Sequence, residues 1–378
     1  MKKHSERNAK RCPLCTSVRY KVAYQTQVPV FQHKVYESAG AAKKAKLGKV
    51  DLAVCQGCGF VFNVAFDASL MDYDKKYQNE QGNSEYFKDY LQSVVRLIKK
   101  SVTKREKVVE VGCGKGLFLE LMRTHGLIVK GFDPTYEGND KDIIKEYFSE
   151  HSAIQADLIV LRHTLEHIES PFEFLQMIAR ANGNRGKIFV EVPSFDWITK
   201  KEAFWDIFHE HCNYFTSRSL ASMFKTSKTG DLFGGQYIYV LADLRDIRSE
   251  VVSAPHAVIS KILAEARRVS ATITRHASFV EKNKPIVIWG AGAKGSTFAN
   301  LLDADRSCIS YVIDKNPKKQ NKCIAGSGHL VLSPEEGIRK LQSQTIVVMN
   351  ENYLAEIKND VARMSQKRPR IVTLGLDI

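Results

Sequence analysis

The chain has 378 residues, 44% of them apolar, and a net charge of +14, so two or three domains with real cores are expected. No run of about 18 apolar residues occurs, which argues against a membrane-spanning helix, and the basic opening MKKHSERNAKR leads into no apolar stretch of the kind a signal peptide needs. A reducing, cytoplasmic setting is therefore the default expectation, and there the eight cysteines need no disulfides.

The positive charge is concentrated. Residues 1–60 carry twelve Lys and Arg against Glu6, Glu37 and Asp51. Such a segment fits nucleic acid, a diphosphate-bearing small molecule or an acidic protein surface. No repeated pairing of aromatic and basic residues accompanies it, so nucleic acid is not favoured as a partner.

Residues 1–70 read as a small module. Cys12 and Cys15 in CPLC, and Cys55 and Cys58 in CQGCG, form two CxxC knuckles. Two such knuckles bring four thiolates to one tetrahedral ion, and the resulting closed site predicts structural Zn²⁺. The loop between the knuckles is long, and His33 within it reads as a surface or packing residue.

Residues 71–245 alternate strand-like and helix-like segments, which implies an α/β domain with a parallel sheet. KVVEVGCGKGLFLELMRTHG reads as strand, glycine turn and helix, with Glu110, Gly112, Gly114 and Gly116 at alternate positions. Glycines let backbone approach a ligand, and the following helix offers free N–H groups. The spacing is not the dinucleotide GxGxxG. It resembles motif I of class I S-adenosylmethionine (SAM) methyltransferases. LIVKGFDP then ends in Asp133, placed to meet ribose hydroxyls. ADLIVLRHTLEHI exits its strand at His163, which is expected to line the cofactor pocket. His163, Glu166 and His167 formally match the inverted zinc-peptidase motif, but that motif needs a helix and a strand is predicted here. Glu191 and Pro193 in GKIFVEVPS come to the same rim, because open α/β sheets bind ligands at the carboxyl ends of their strands.

DIFHEHCNYF places His209, Glu210 and His211 in succession. Metal ligation, acid/base work and packing are all open for it on the residues alone. Residues 246–283 are expected to connect domains through a helix, with Val258, Ile262, Ala266, Val269, Ile273, Ala277 and Val280 on one face. Residues 284–378 begin a second α/β series. PIVIWGAGAKG gives Gly290, Gly292 and Gly295 in GxGxxG spacing, and SYVIDKNP supplies Asp314. Read alone, this predicts a dinucleotide.

The motifs taken together, CPLC…CQGCG, EVGCGKG, LEHI, HEHCNYF, GAGAKG, YVIDKNP and GSGH, resemble the three-domain SAM-dependent C-methyltransferases of nucleotide-linked keto-deoxysugars. The resemblance spans nearly the whole chain. It implies a zinc-binding module, a SAM domain and a C-terminal Rossmann-like domain that holds the sugar nucleotide instead of a redox cofactor, with Gly292, Lys294 and Asp314 in contact; Lys315, Lys318 and Lys319 lie close by in sequence. It makes His211 the base that takes a proton from the carbon beside the keto group, Glu210 its neighbour, and His209 a structural or substrate-contacting residue. A histidine titrating near neutrality suits that task. Two departures stand out. Phe208 occupies the position of a family tyrosine. The second expected tyrosine is represented by Tyr77 or replaced by Asn79. O- or N-methyl transfer to a sugar or other metabolite is the first rival reading, and a zinc-containing nucleic-acid-binding protein is the second.

Overall fold

The structure, a computed structural model, describes residues 10–72, 82, 84–103, 105–152, 154–366 and 368–374. It is α/β, as expected. The chain opens with β1 (Tyr20–Pro29), β2 (Val35–Tyr36), β3 (Leu47–Cys55) and β4 (Val61–Asn63). β1 and β3 form a long antiparallel pair, and β4 lies beside β3.

After α1 (Glu85–Lys99) comes β5 (Lys107–Val111), α2 (Leu117–Thr124), β6 (Ile128–Phe132), β7 (Ile143–Ile144), β8 (Leu158–Arg162), α3 (Pro171–Ala181) and β9 (Lys187–Pro193). The short β10 (Asn213–Tyr214) leaves this domain and pairs with β4, so the first sheet is completed by a distant segment. β11 (Lys228–Leu232) and β12 (Tyr237–Asp243) return to the central sheet, whose order is β11-β12-β9-β8-β5-β6-β7. β5 to β9 run parallel, and β12 is antiparallel to both of its neighbours. Every residue of β8 is buried. Its Leu-Ile-Val-Leu run suits a strand covered on both faces.

α3 to β9 is followed, beyond β12, by α4 (His256–Asn283), whose Ile262, Ala266, Val269 and Val280 are buried. The same core cluster holds Val28 and Leu52 of the first sheet, and Phe298 and Val347 of the C-terminal unit, the first on a helix and the second on a strand. α4 is thus a shared spine for the outer two units. The last unit contains β13 (Ile286–Trp289), α5 (Ala293–Leu302), β14 (Ile309–Ile313), β15 (Cys323–Ile324), β16 (Val331–Leu332), β17 (Thr345–Val348), α6 (Leu354–Met364) and β18 (Ile371–Thr373). Its sheet order is β16-β14-β13-β17-β18, all parallel. β15 pairs instead with β2. Among the described residues no helix is long and apolar enough to cross a membrane.

In both α/β sheets the strand order reverses beside a glycine turn. β5 lies between β6 and β8, and β13 between β14 and β17. Such switch points are where open α/β sheets take ligands.

The α4 spine carries a titratable group inside it. His276 is fully buried, its Nδ1 lies 2.9 Å from the Thr272 carbonyl oxygen, and its Nε2 has no partner. Its ring meets Phe204 and Trp205 with centroids 5.4 and 5.2 Å apart. Burial pushes the imidazole below its ordinary range. In the unfolded chain it titrates near ~6.5. Below that pH the unfolded state binds a proton that the folded state does not, so acid removes stability. His276→Phe should therefore lose less stability than the parent between neutral pH and pH ~5, as measured by urea unfolding at each pH. An equal slope for both proteins would rule out His276 as a contributor.

Candidate active site

The glycine turn after β5 holds Gly112, Gly114 and Gly116 at φ of 79°, 55° and 80°, which is glycine's territory. A Cβ at Gly112 would lie 2.3 Å from Thr164 Oγ1, whereas a Cβ at Gly114 would meet nothing within 4 Å. The turn is wedged against the sheet at one residue and open at the next. Asp133 holds it in shape. Its Oδ2 accepts from Gly114 N at 2.7 Å, and its Oδ1 accepts from Thr135 N and Oγ1. The second glycine turn repeats this device, since Asp314 Oδ2 accepts from Ala291 N at 2.7 Å.

Three adjacent strand ends below the first turn carry charge. Glu110 of β5, Arg162 of β8 and Glu191 of β9 are all buried. Arg162 Nε and Nη2 donate to Glu191 at 2.8 and 3.1 Å, and its guanidinium lies 4.2 Å from the Phe118 ring centroid. Tyr90 donates its hydroxyl to the same carboxylate. Burial alone would raise Glu191, but Arg162 and His163 outweigh it and hold the carboxyl well below its usual range. Glu110 has no such fork. Burial pushes it up to about 7, against the pull of Arg162, and its Oε2 is buried without a hydrogen-bond partner.

His163 follows β8 at φ 50°. Its Nε2 lies 2.9 Å from Glu191 Oε1 in a contact not aligned as a hydrogen bond, and its Nδ1 is 3.5 Å from Glu166 Oε1. Burial opposes its charge, yet the two carboxylates prevail and push it up to about 9. His167 Nδ1 lies 2.9 Å from the Glu210 carbonyl oxygen. His211 sits against His167 and Phe208, with ring centroids 4.8 and 4.3 Å away. Burial, with His167, His163, His33 and Lys294 adding to it, drives the His211 imidazole well below its ordinary range. Glu210 Oε1 accepts from Gln32 N at 3.0 Å. The loop is pinned by Tyr214, whose hydroxyl both accepts from Phe208 N and donates to Phe208 O.

These groups border one cavity of about 460 Å³ lying between the two α/β units. Glu110, Gly112, Gly114 and His163 line it from one side, Gly292, Lys294 and Asp314 from the other, and Glu210 and His211 between them. Gly116 and Asp133 are not among the lining residues; Asp133 supports the turn from behind. His209, a candidate for substrate contact, is not among them either. It is fully buried against Phe66, with Nδ1 2.9 Å from Lys49 O. Gly48 makes room for it, since a Cβ there would lie 2.3 Å from the ring. Tyr77 and Asn79 lie outside the described residues.

Arg162 is the chief cavity residue that was not singled out from sequence, and a lone arginine closing an apolar strand was the available signal. Lys294 and Lys319, named around the second glycine turn, do border the cavity. Lys294 is paired with Asp206 and lies 4.6 Å from the Trp197 ring centroid, joining the two units across the cavity. Lys319 is buried and donates to Ala291 O at 2.9 Å, beneath the second turn; burial lowers its ammonium below the usual range.

Away from the cavity, Cys12, Cys15, Cys55 and Cys58 converge. Cys12 and Cys58 sulfurs are 3.6 Å apart, Cys15 and Cys55 sulfurs 3.5 Å, and all four lie within 4.8 Å of one another as free thiols. Zn–S bonds of about 2.3 Å require tetrahedral edges of about 3.8 Å. The donor set fits Zn²⁺. For SAM, the open backbone at Gly114 and the orphan oxygen of Glu110 provide the cradle and the unmet acceptor that a polar cofactor needs.

Residues 82–227 match the family described as "Methyltransferase domain", and residues 260–374 that described as "C-methyltransferase C-terminal domain". The C-methyltransferase NovU of Streptomyces niveus is 27% identical over 300 residues, covering 68% of this chain and 69% of that protein. A ubiquinone biosynthesis O-methyltransferase of Citrobacter koseri is 29% identical over 99 residues, covering 22% of this chain and 41% of that protein. A SAM dependent methyltransferase from Archaeoglobus fulgidus has a solved structure that is similar at 17% identity and a TM-score of 0.34, over 42% of this chain and 99% of that one. The family matches make the chain a methyltransferase that uses SAM, which sets aside the reading as a non-catalytic nucleic-acid-binding protein.

Proposed function

We propose that this SAM-dependent methyltransferase methylates a carbon of a nucleotide-activated keto-sugar, through an enolate. The supporting observation is that one cavity meets both glycine turns, with His211 on the wall between them. SAM, when bound at the first turn, supplies the electrophilic methyl group. Glu110, Gly112 and Gly114 would hold it there, with Asp133 keeping the turn in shape. The second turn and Asp314 would take the nucleotide part of the acceptor. Lys294 and Lys319 put two ammonium groups near that end, suited to a diphosphate.

His211 then faces the acceptor carbon. Its imidazole is neutral at physiological pH, so it can accept the proton beside the keto group. Glu210 fixes the loop through Gln32 and, by its carbonyl, orients His167. Phe208 lines the cavity and offers no hydroxyl to the developing oxyanion. That observation favours keeping a second reading, methyl transfer to oxygen or nitrogen with the same histidine as base.

Mass spectrometry of nucleotide sugars incubated with SAM in deuterated water tests both. Methylation with deuterium exchange at the carbon beside the ketone is expected. Methylation without exchange, on a hydroxyl or amine, would replace the enolate route by the second reading.

The four-cysteine cluster would carry a structural Zn²⁺ that takes no part in this chemistry. Elemental analysis should find ~1 zinc per chain, and Cys58→Ser should lose it together with thermal stability. Metal-free protein with an unchanged melting point would discard the zinc assignment.

A further inference from the structure

Two sequence patterns each contain half of a metal motif. His163 to His167 supplies two histidines and a glutamate on a strand exit, and His209 to His211 supplies two more histidines around Glu210. The fold combines them differently. Glu166 and His167 come from the turn after β8, and His211 from the loop before β10. One ligand atom from each lies within 4.8 Å of the others.

Each of the three is prepared for ligation. Glu166 is 1% exposed, and neither carboxylate oxygen has a hydrogen-bond partner. Its nearest cation, His163 Nδ1, stands 3.5 Å from Oε1 without hydrogen-bond alignment. A buried carboxylate left without donors is costly unless something else meets it. His167 Nδ1 contacts the Glu210 carbonyl oxygen. A ring nitrogen donates to a carbonyl, so this contact leaves the lone pair on Nε2, the arrangement that metal-ligating histidines use. His211 supplies the second imidazole. All three border the cavity.

We propose that Glu166, His167 and His211 bind one divalent transition-metal ion, with an open coordination position facing the cavity. Two histidines and one carboxylate form an open donor set suited to Zn²⁺ or Co²⁺. Metal bonds of about 2.0–2.2 Å need ligand atoms about 3.3 Å apart, so from within 4.8 Å the side chains close inward by at most about 1.5 Å. The ion occupies the lone pair with which His211 would accept a proton. Metal occupancy therefore switches off the proposed carbon methylation. This consequence rests on the reading of His211 as base, whereas the site itself does not.

Co²⁺ is titrated into the full-length chain after its cysteine site has been loaded with zinc, and followed by calorimetry and visible absorption. One further equivalent with weak d–d bands is expected. Glu166→Gln and His167→Gln should each weaken it by at least about tenfold, with thermal melting as the folding control. No further equivalent at about 1 mM Co²⁺, thiolate charge-transfer bands alone, or equal affinity in folded variants would overturn the site. Turnover should then fall at saturating Co²⁺ and return with chelator. Binding without inhibition would retain the site and remove His211 as the base, so the two assignments fail separately.

Discussion

Replacing His211 by alanine should lower methyl transfer by about 10²–10⁴-fold, the usual contribution of a positioned general base, while SAM affinity measured by calorimetry stays within about twofold of the parent. The separation follows from where the residue sits. His211 belongs to the loop before β10, on the wall between the two glycine turns, whereas the residues assigned to SAM lie on and around the turn after β5. Burial holds its pKa well below the ordinary histidine value, and the nearby His167, His163, His33 and Lys294 add to the effect. A depressed pKa keeps the imidazole unprotonated as pH falls. The acid limb of kcat/KM should therefore begin below pH ~6.5, where an ordinary histidine would titrate. The same depression weakens the base, so catalysis needs an anion close to the imidazolium as it forms, and Glu166 stands within 4.8 Å by ligand atoms. Near-normal turnover in the alanine variant would remove His211 from the mechanism. A parallel loss of SAM affinity would show that the loop supports the fold instead.

The features that could be read from the chain were those enforced locally. Positive φ at Gly112, Gly114 and Gly116 favours glycine through the local backbone alone, so the turn announces itself. The face of α4 follows from helical spacing for the same reason. His209 was harder because sequence adjacency does not imply a shared site. Its neighbours Glu210 and His211 border the cavity, while its own ring fills the space that Gly48 leaves on the first sheet. Nothing local to DIFHEHCNYF encodes Gly48. The pairing of β10 with β4, and of β2 with β15, is equally non-local, and it ties together units that composition divides cleanly. The juxtaposition of Glu166 and His167 with His211 is non-local too, joined by Cys212 Sγ to Glu166 O and Asn213 Nδ2 to Ile168 O.

Arg162 was the least legible of the important residues, and its removal should have the largest effect on stability. Arg162→Leu is expected to cost about 3–5 kcal/mol in urea unfolding, because it takes one partner from a buried ion pair and leaves the other charged. Glu191 is fully buried, and the guanidinium supplies two of its hydrogen bonds. Tyr90 and the close His163 Nε2 remain, but neither replaces a bidentate cation. Glu110 is already pushed up to about 7 by burial, and Arg162 is what opposes that shift. Without it, Glu110 would bind a proton more readily and offer SAM a neutral acid in place of a carboxylate. The variant should accordingly lose SAM affinity as well as stability. Glu191's carboxyl is held below its usual range in the folded state. The stabilisation it brings is present above the unfolded value of ~4.3 and fades as pH falls through the depressed folded value. That acid-linked part should shrink in Arg162→Leu. Arg162→Leu combined with Glu191→Leu is the decisive comparison. If the single variant suffers from an orphaned charge, removing the second charge should restore part of the lost stability, even with two side chains gone. A double variant worse than the sum of the two singles would instead mean that strands β8 and β9 depend on the side-chain volumes, and that the charges serve only the site above them.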